Sequence, residues 1–198
     1  PNKLHIEQAR VFLEHGKHVI CEKPLSAHAK DVAELQALAK ERGLIYLEAI
    51  MFMHLPQRKL LEEALKKIGD ISVAKIDFCQ RSSKYDAYLA GSLPNIFNPA
   101  LETGALMDLG VYCVYPALYL FGKPQNTLAV SHLLASGADG SDIVAMQYPD
   151  KLVNLVFSKV GQAGANTDFQ GTNGTVSVES ISKLANTSMR YNNGTVEE

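Results

Sequence analysis

Apolar residues recur at helical spacing from the start of the chain. Leu4, Ile6, Ala9, Phe12 and Leu13 form one stripe, and Gly16 suits the position just past a helix end. A short turn leads to residues 18–21, whose apolar run reads as a parallel strand. Val32, Leu35, Leu38 and Ala39 repeat the helical pattern, with Ser26 as the predicted N-cap and Gly43 as the stop. Residues 44–50 read as the next strand. Helix, strand, helix, strand is the tail of a Rossmann-type doubly wound α/β sheet. Pro56 then opens a helix reaching Ile68 and closed by Gly69.

From Asp70 the period changes from helical to alternating. Ala74, Ile76 and Phe78 alternate with polar neighbours, which predicts a half-buried strand over 71–81. Residues 82–103 carry Ser, Gly, Pro and Asn without periodicity and predict a long loop, a kind that usually serves function. A helix is predicted over 105–121, bent at Pro116 and stopped at Gly122. Strands follow at 127–135, 143–148, 152–159, 175–179 and 188–191, with turns at Asp150-Lys151 and Asn173-Gly174. The expected fold class is therefore α/β followed by α+β, a mostly antiparallel sheet with helices on one face. The expected division is 1–52, the C-terminal portion of a dinucleotide-binding domain, and 53–198, a substrate and dimerisation domain. At Leu128, Val130, Leu155 and Phe157 the alternation is imperfect, so both sheet faces are expected to be partly apolar. A helix-free apolar face needs cover, which predicts a homodimer or higher homo-oligomer through the sheet.

Composition narrows the function classes. With 198 residues, 46% hydrophobic and 20% charged, the chain has material for a sizeable core and is not disordered. A net charge of −2 without a Lys/Arg cluster argues against nucleic-acid partners and anionic membranes. The most apolar stretch, 109–121, falls short of the ~20 residues a bilayer span needs. Cys21, Cys79 and Cys113 are odd in number and lie in apolar runs, so they read as buried reduced thiols and point to the cytoplasm. No His pair has metal-ligand spacing, and Ser82 and Ser83 lack a local His/Asp arrangement. Gly91, Gly161, Gly164 and Gly171 do not compose a phosphate-binding turn, so NAD cannot be told from NADP.

Candidate chemistry gathers at two places. In Glu22-Lys23-Pro24 a cation follows the predicted strand 18–21, and open α/β sheets bind ligands outside the carboxyl ends of their strands. Asp108 and Tyr112 stand four residues apart in a helical segment, hence on one face. When an alcohol gives up a hydride its hydroxyl proton must also leave, and a phenol beside an ammonium is suited to take it. A carboxylate in an apolar helix needs a partner, and Lys23 or a ligand hydroxyl are the obvious ones. The bland alternatives stay open: a surface lysine, a packing aromatic beside Tyr115 and Tyr119, and a first-turn acid facing solvent.

Residues 4–24, reading LHIEQARVFLEHGKHVICEKP, resemble the second half of the nucleotide domain in the glucose-fructose oxidoreductase, inositol dehydrogenase and MocA family. Residues 104–112, reading GALMDLGVY, are similar to that family's substrate-domain signature, and the two blocks come in the family's order. The resemblance covers essentially the whole chain and leans toward the dihydrodiol and xylose dehydrogenase branch. It implies an NAD- or NADP-dependent oxidoreductase acting on a sugar, polyol or cyclic diol. Lys23 is then the lysine beside the nicotinamide and the reacting carbinol, Asp108 the aspartate of D-x-G-x-[HY], and Tyr112 the proton-transferring residue. Asn2, His5, Glu22 and Pro24 join Lys23 as implied cofactor contacts. Glu48-Ala49-Ile50-Met51 matches a run that ordinarily continues into an arginine; here Met53 stands in that place, and His54 becomes the candidate substrate donor. Two other functions remain alternatives: a redox-cycling NAD-dependent glycosidase and a non-catalytic assembly module. The resemblance also places strand-helix units before Pro1 and further elements after Glu198, so the chain reads as a fragment, inactive alone.

Overall fold

The computed structural model describes residues 1–198. The first helix, α1 (His5–Glu14), gives way at Gly16, whose φ of 72° is left-handed backbone that glycine adopts without a Cβ clash. β1 (Val19–Cys21), α2 (Ala29–Glu41) and β2 (Tyr46–Glu48) follow. β1 and β2 pair in parallel, Val19 opposite Tyr46 and Cys21 opposite Glu48. Ala9 and Leu13 of α1 pack on Leu35 and Ala39 of α2, so the two helices share a small core on one face of the ribbon. Phe12, placed in the apolar stripe by sequence, is exposed. Ser26 does not cap α2: His28 holds the cap position, and Ser26 Oγ accepts the His28 N–H at 3.0 Å in the preceding turn.

α3 (Gln57–Lys67) follows Pro56 and ends before Gly69. It lies against an eight-stranded sheet. The strands are β3 (Ile71–Cys79), β4 (Asn126–Leu133), β5 (Asp139–Gln147), β6 (Leu152–Ser158), β7 (Thr167–Gly171), β8 (Gly174–Ser180), β9 (Ala185–Tyr191) and β10 (Val196–Glu197). Their order is β10-β9-β8-β7-β3-β6-β5-β4, antiparallel throughout except for the parallel β3–β6 pair. Ala74, Ile76, Leu155, Phe157, Phe169 and Val176 form the sheet side of one core, met by Leu61 and Leu65 from α3 and by Cys113 and Ala117 from a later helix.

Several sequence expectations are revised. The segment 82–103 is not structureless: it holds α4 (Tyr85–Leu89) and single 3-10 turns at Asn95–Phe97 and Pro99–Leu101. The helix after it begins as a π-helical turn, Leu106–Gly110, before α5 (Val111–Phe121), which includes Pro116. β7 and β10 went unpredicted because TDFQG and VE are too short and too polar to show a period. Leu155 and Phe157 belong to the helix-covered face and are fully buried. The open face instead carries Val130 opposite Ile143, itself opposite Val156, with Leu128 one pleat away. Leu128 is 70% exposed, Val130 66% and Ile143 54%, so the β4–β5 part of this face is apolar and uncovered, while Asn154, Lys75 and Asp77 make it polar further in. Cys79 is half-buried rather than buried, and all three thiols are free. No helix is long and apolar enough to cross a membrane.

Candidate active site

Beyond the end of β1 the chain turns so that Glu22 faces solvent and Lys23 turns inward, with a cis peptide between Lys23 and Pro24. Glu48, the last residue of β2, fastens this turn by accepting the Leu25 N–H at 3.1 Å. Burial raises the Glu48 carboxyl above its usual range, against the opposing pull of that N–H and of the Lys23 charge. Lys23 Nζ donates to the Asp108 carbonyl at 2.7 Å and to Asp108 Oδ1 at 3.0 Å. It also lies 4.8 Å from the centre of the Tyr112 ring, over its face rather than at its hydroxyl. Phe52 and Phe78 bracket that ring at centroid distances of 5.1 and 5.2 Å. The Tyr112 hydroxyl is not among the buried, unpaired polar atoms, and with no hydrogen bond inside the chain it keeps solvent access. Asp108 and Tyr112 thus meet at Lys23 as their spacing suggests, although the turn between them is π-helical, a form frequent at functional sites.

Both glycines of the GALMDLGVY block have a packing reason. A Cβ on Gly104 would fall 1.7 Å from Asp139 Oδ1, and the other Asp139 oxygen accepts the Leu106 N–H at 2.6 Å, anchoring the π turn. A Cβ on Gly110 would fall 2.9 Å from Phe157 Cε2 and Cζ, so its absence lets the helix settle onto the sheet.

The residue that sequence reasoning missed is Lys159. Its Nζ donates to Asp108 Oδ2 at 2.6 Å, and its side chain is 2% exposed against 42% for Asp108. The ammonium also lies 5.7 Å from the Phe97 ring centre. Burial by itself would raise the Asp108 carboxyl; the Lys159 hydrogen bond and charge, followed by those of Lys23, outweigh it and hold the group below the usual carboxylate range. A signal did exist. Lys159 continues the inward parity of Val153, Leu155 and Phe157, and an inward lysine requires a carboxylate.

The other expected residues lie at varied distances from this centre. His5 is close, its Nδ1–H donating to the Pro24 carbonyl at 2.9 Å, and Asn2 Nδ2 donates to the Glu102 carbonyl at 2.7 Å. His54 is exposed at the end of the 3-10 turn Met51–His54, while Met53 is buried in the core. Beside Pro24 an open groove of about 490 Å³ runs along Leu106, Met107, Val111 and Tyr115. A larger polar hollow of about 850 Å³, between Gln162, Asn166 and Asn186, is lined by none of these groups.

The lysine just past β1 thus meets the aspartate of a D-x-G-x-Y turn, Asp108 to Tyr112. Residues 1–50 match the oxidoreductase family with an NAD-binding Rossmann fold, and residues 58–177 match the GFO/IDH/MocA C-terminal domain. The chain belongs to the GFO/IDH/MocA family. Among its curated relatives is scyllo-inositol 2-dehydrogenase (NADP(+)) IolU of Bacillus subtilis, 41% identical over 100% of this chain and 60% of that protein. The trans-1,2-dihydrobenzene-1,2-diol dehydrogenase of Mus musculus is 30% identical over 89% of this chain and 52% of its own length. The chain therefore spans about half to three fifths of these GFO/IDH/MocA relatives. A solved 3-ketoreductase from Actinomadura kijaniata, in complex with NADP and TDP-benzene, superposes with a TM-score of 0.86 at 24% identity. The match covers 100% of this chain and 61% of that one, and it establishes the fold.

Proposed function

We propose that residues 1–52 are the C-terminal portion of a dinucleotide-binding domain and 53–198 the substrate and dimerisation part of an NAD(P)-dependent dehydrogenase. The full protein transfers a hydride between nicotinamide and a hydroxyl-bearing ring carbon of a polyol or cyclic diol. The observation that carries this reading is the junction of Lys23 with Asp108 and Tyr112, drawn from both portions of the chain. An ammonium has three N–H donors. Two are spent on Asp108, which leaves one for the reacting oxygen. Tyr112, its ring held by Phe52 and Phe78, takes the hydroxyl proton as general base, and the half-exposed Asp108 carboxylate accepts a neighbouring hydroxyl. Both curated relatives are named for ring compounds bearing adjacent hydroxyls, which favours a cyclic diol over an open-chain sugar.

The residues present fit the nicotinamide end of a cofactor. The groove beside Pro24 is apolar, Lys23 precedes that proline in the chain, and His5 hydrogen-bonds its carbonyl. When bound, the nicotinamide supplies the hydride acceptor or donor, and the protein supplies binding, orientation and proton handling. The open apolar sheet face supports a homodimer, and the three free thiols support a cytoplasmic location. The test is turnover of cyclic diols by the full-length enzyme, followed through the nicotinamide absorbance with NAD and with NADP. Lys23→Met and Tyr112→Phe should each remove most of it; near-normal kcat in Lys23→Met sinks the proposal.

A further inference from the structure

We propose that Lys159 is a positioning residue of this site, which holds the Asp108 carboxylate so that the third N–H of Lys23 stays free for the reacting oxygen. The inference rests on the dehydrogenase reading above. Lys159 cannot meet substrate itself, since its side chain is 2% exposed. Its ammonium hydrogen-bonds one side-chain group, Asp108 Oδ2, and otherwise faces the buried Phe97 ring. Each carboxylate oxygen is therefore taken by a different cation, Oδ2 by Lys159 from the end of β6 and Oδ1 by Lys23 from the end of β1.

This division has a chemical consequence. An unoccupied carboxylate oxygen beside an ammonium competes for its remaining hydrogen, and Lys23 already gives one N–H to the Asp108 carbonyl and one to Oδ1. Without Lys159, Oδ2 would lose its partner and would compete with the reacting oxygen for the third Lys23 N–H. With it, two cations share one carboxylate, and the surplus positive charge faces the oxygen on which negative charge develops. Glu48 also feels the Lys23 charge and is tied to the Leu25 N–H, and the adjacent Glu22 faces solvent.

The test is a double-mutant cycle in the full-length enzyme: Lys159→Met, Lys159→Arg, Asp108→Asn and Asp108→Asn/Lys159→Met. Lys159→Met should lower kcat by about 10- to 100-fold, the scale of misplacing a reacting group by about 1 Å, with little change in cofactor KM. Its acid limb in the kcat profile should move to higher pH, and Lys159→Arg should recover most of the rate. In the Asp108→Asn background the same lysine change should cost under about 3-fold, because Lys159 acts only through Asp108. A multiplicative loss in the double variant, or an unmoved acid limb in Lys159→Met, overturns the proposal. Should Asp108→Asn not fold, since it leaves the buried Lys159 ammonium without a carboxylate, the kcat pH profiles of Lys159→Met and Lys159→Arg, in which Asp108 keeps Lys23 as its partner, still decide it. A carbon-13 titration of the Asp108 carboxyl with and without Lys159 reads the clamp independently of turnover. Failure of the dehydrogenase reading would leave that shift intact, whereas failure of the clamp would abolish it.

Discussion

Gly110→Ala is the substitution that most directly probes how the helix bearing Asp108 and Tyr112 is seated. Gly110 has helical backbone, φ −58° and ψ −30°, so alanine meets no backbone strain there and gains about 1 kcal/mol in helix propensity. Against this, the added Cβ lies 2.9 Å from two Phe157 ring carbons and 3.0 Å from Leu106 Cδ1. That is about 0.6 Å inside the ~3.5 Å lower bound of favourable carbon contact. Phe157 is fully buried in the core, so the ring cannot retreat into solvent and the helix must lift. Overpacking of this kind costs about 1–3 kcal/mol, which leaves a net destabilisation near ~1 kcal/mol and a Tm lower by about 2–4 °C. Thermal unfolding by circular dichroism measures it. The same lift displaces Asp108 and Tyr112, which flank Gly110, so kcat of the full-length enzyme should fall further than stability alone explains. Phe157→Leu shortens the offending side chain, and the cost of Gly110→Ala should shrink by about 0.5 kcal/mol or more in that background. A Tm that rises with Gly110→Ala, or a cost undiminished in the Phe157→Leu background, would refute the packing argument.

Other outcomes follow from single contacts. Tyr112→Phe should reduce kcat by ~10²-fold with modest change in cofactor affinity, the size of a general acid/base contribution; a large fall in Tm at unchanged kcat would make Tyr112 a packing residue instead. Asp142 is buried and its carboxyl is pushed up to about 6, first by burial and also by the neighbouring Asp139, with Ser131 pulling the other way. The folded state therefore holds a proton that the unfolded state has released between about pH 4 and 6, so stability falls as pH rises through that window. Asp142→Asn should flatten that dependence, worth at most about 3 kcal/mol, and denaturant midpoints across about pH 4 to 7 would reveal an unaltered slope if the assignment is wrong. Val130→Asp, on the open sheet face, should dissociate the proposed dimer at tens of micromolar in sedimentation velocity without loss of helix signal; a wild-type monomer removes the interface altogether.

Much of the architecture follows from local pattern. The helical stripe of Ala9 and Leu13, the glycines at 16, 43, 69 and 122 that close helices, and the alternation at Ala74 and Ile76 each depend on a few neighbours, and each is present in the fold. Lys23 at a strand end and Asp108 four residues before Tyr112 were legible for the same reason. What tertiary structure alone decided is which strands meet. Parity within 152–159 orders its residues into two faces but does not say which is buried, and only the register with β5 and β3 turns Leu155 and Phe157 inward. That register also carries Lys159 inward to Asp108, 51 residues away in sequence, while Lys23 reaches the same carboxylate across 85. Side-chain period is a local property of backbone geometry, whereas a buried charge finds its partner only after distant elements have packed. The pairing that orders this site was therefore settled by the assembled sheet.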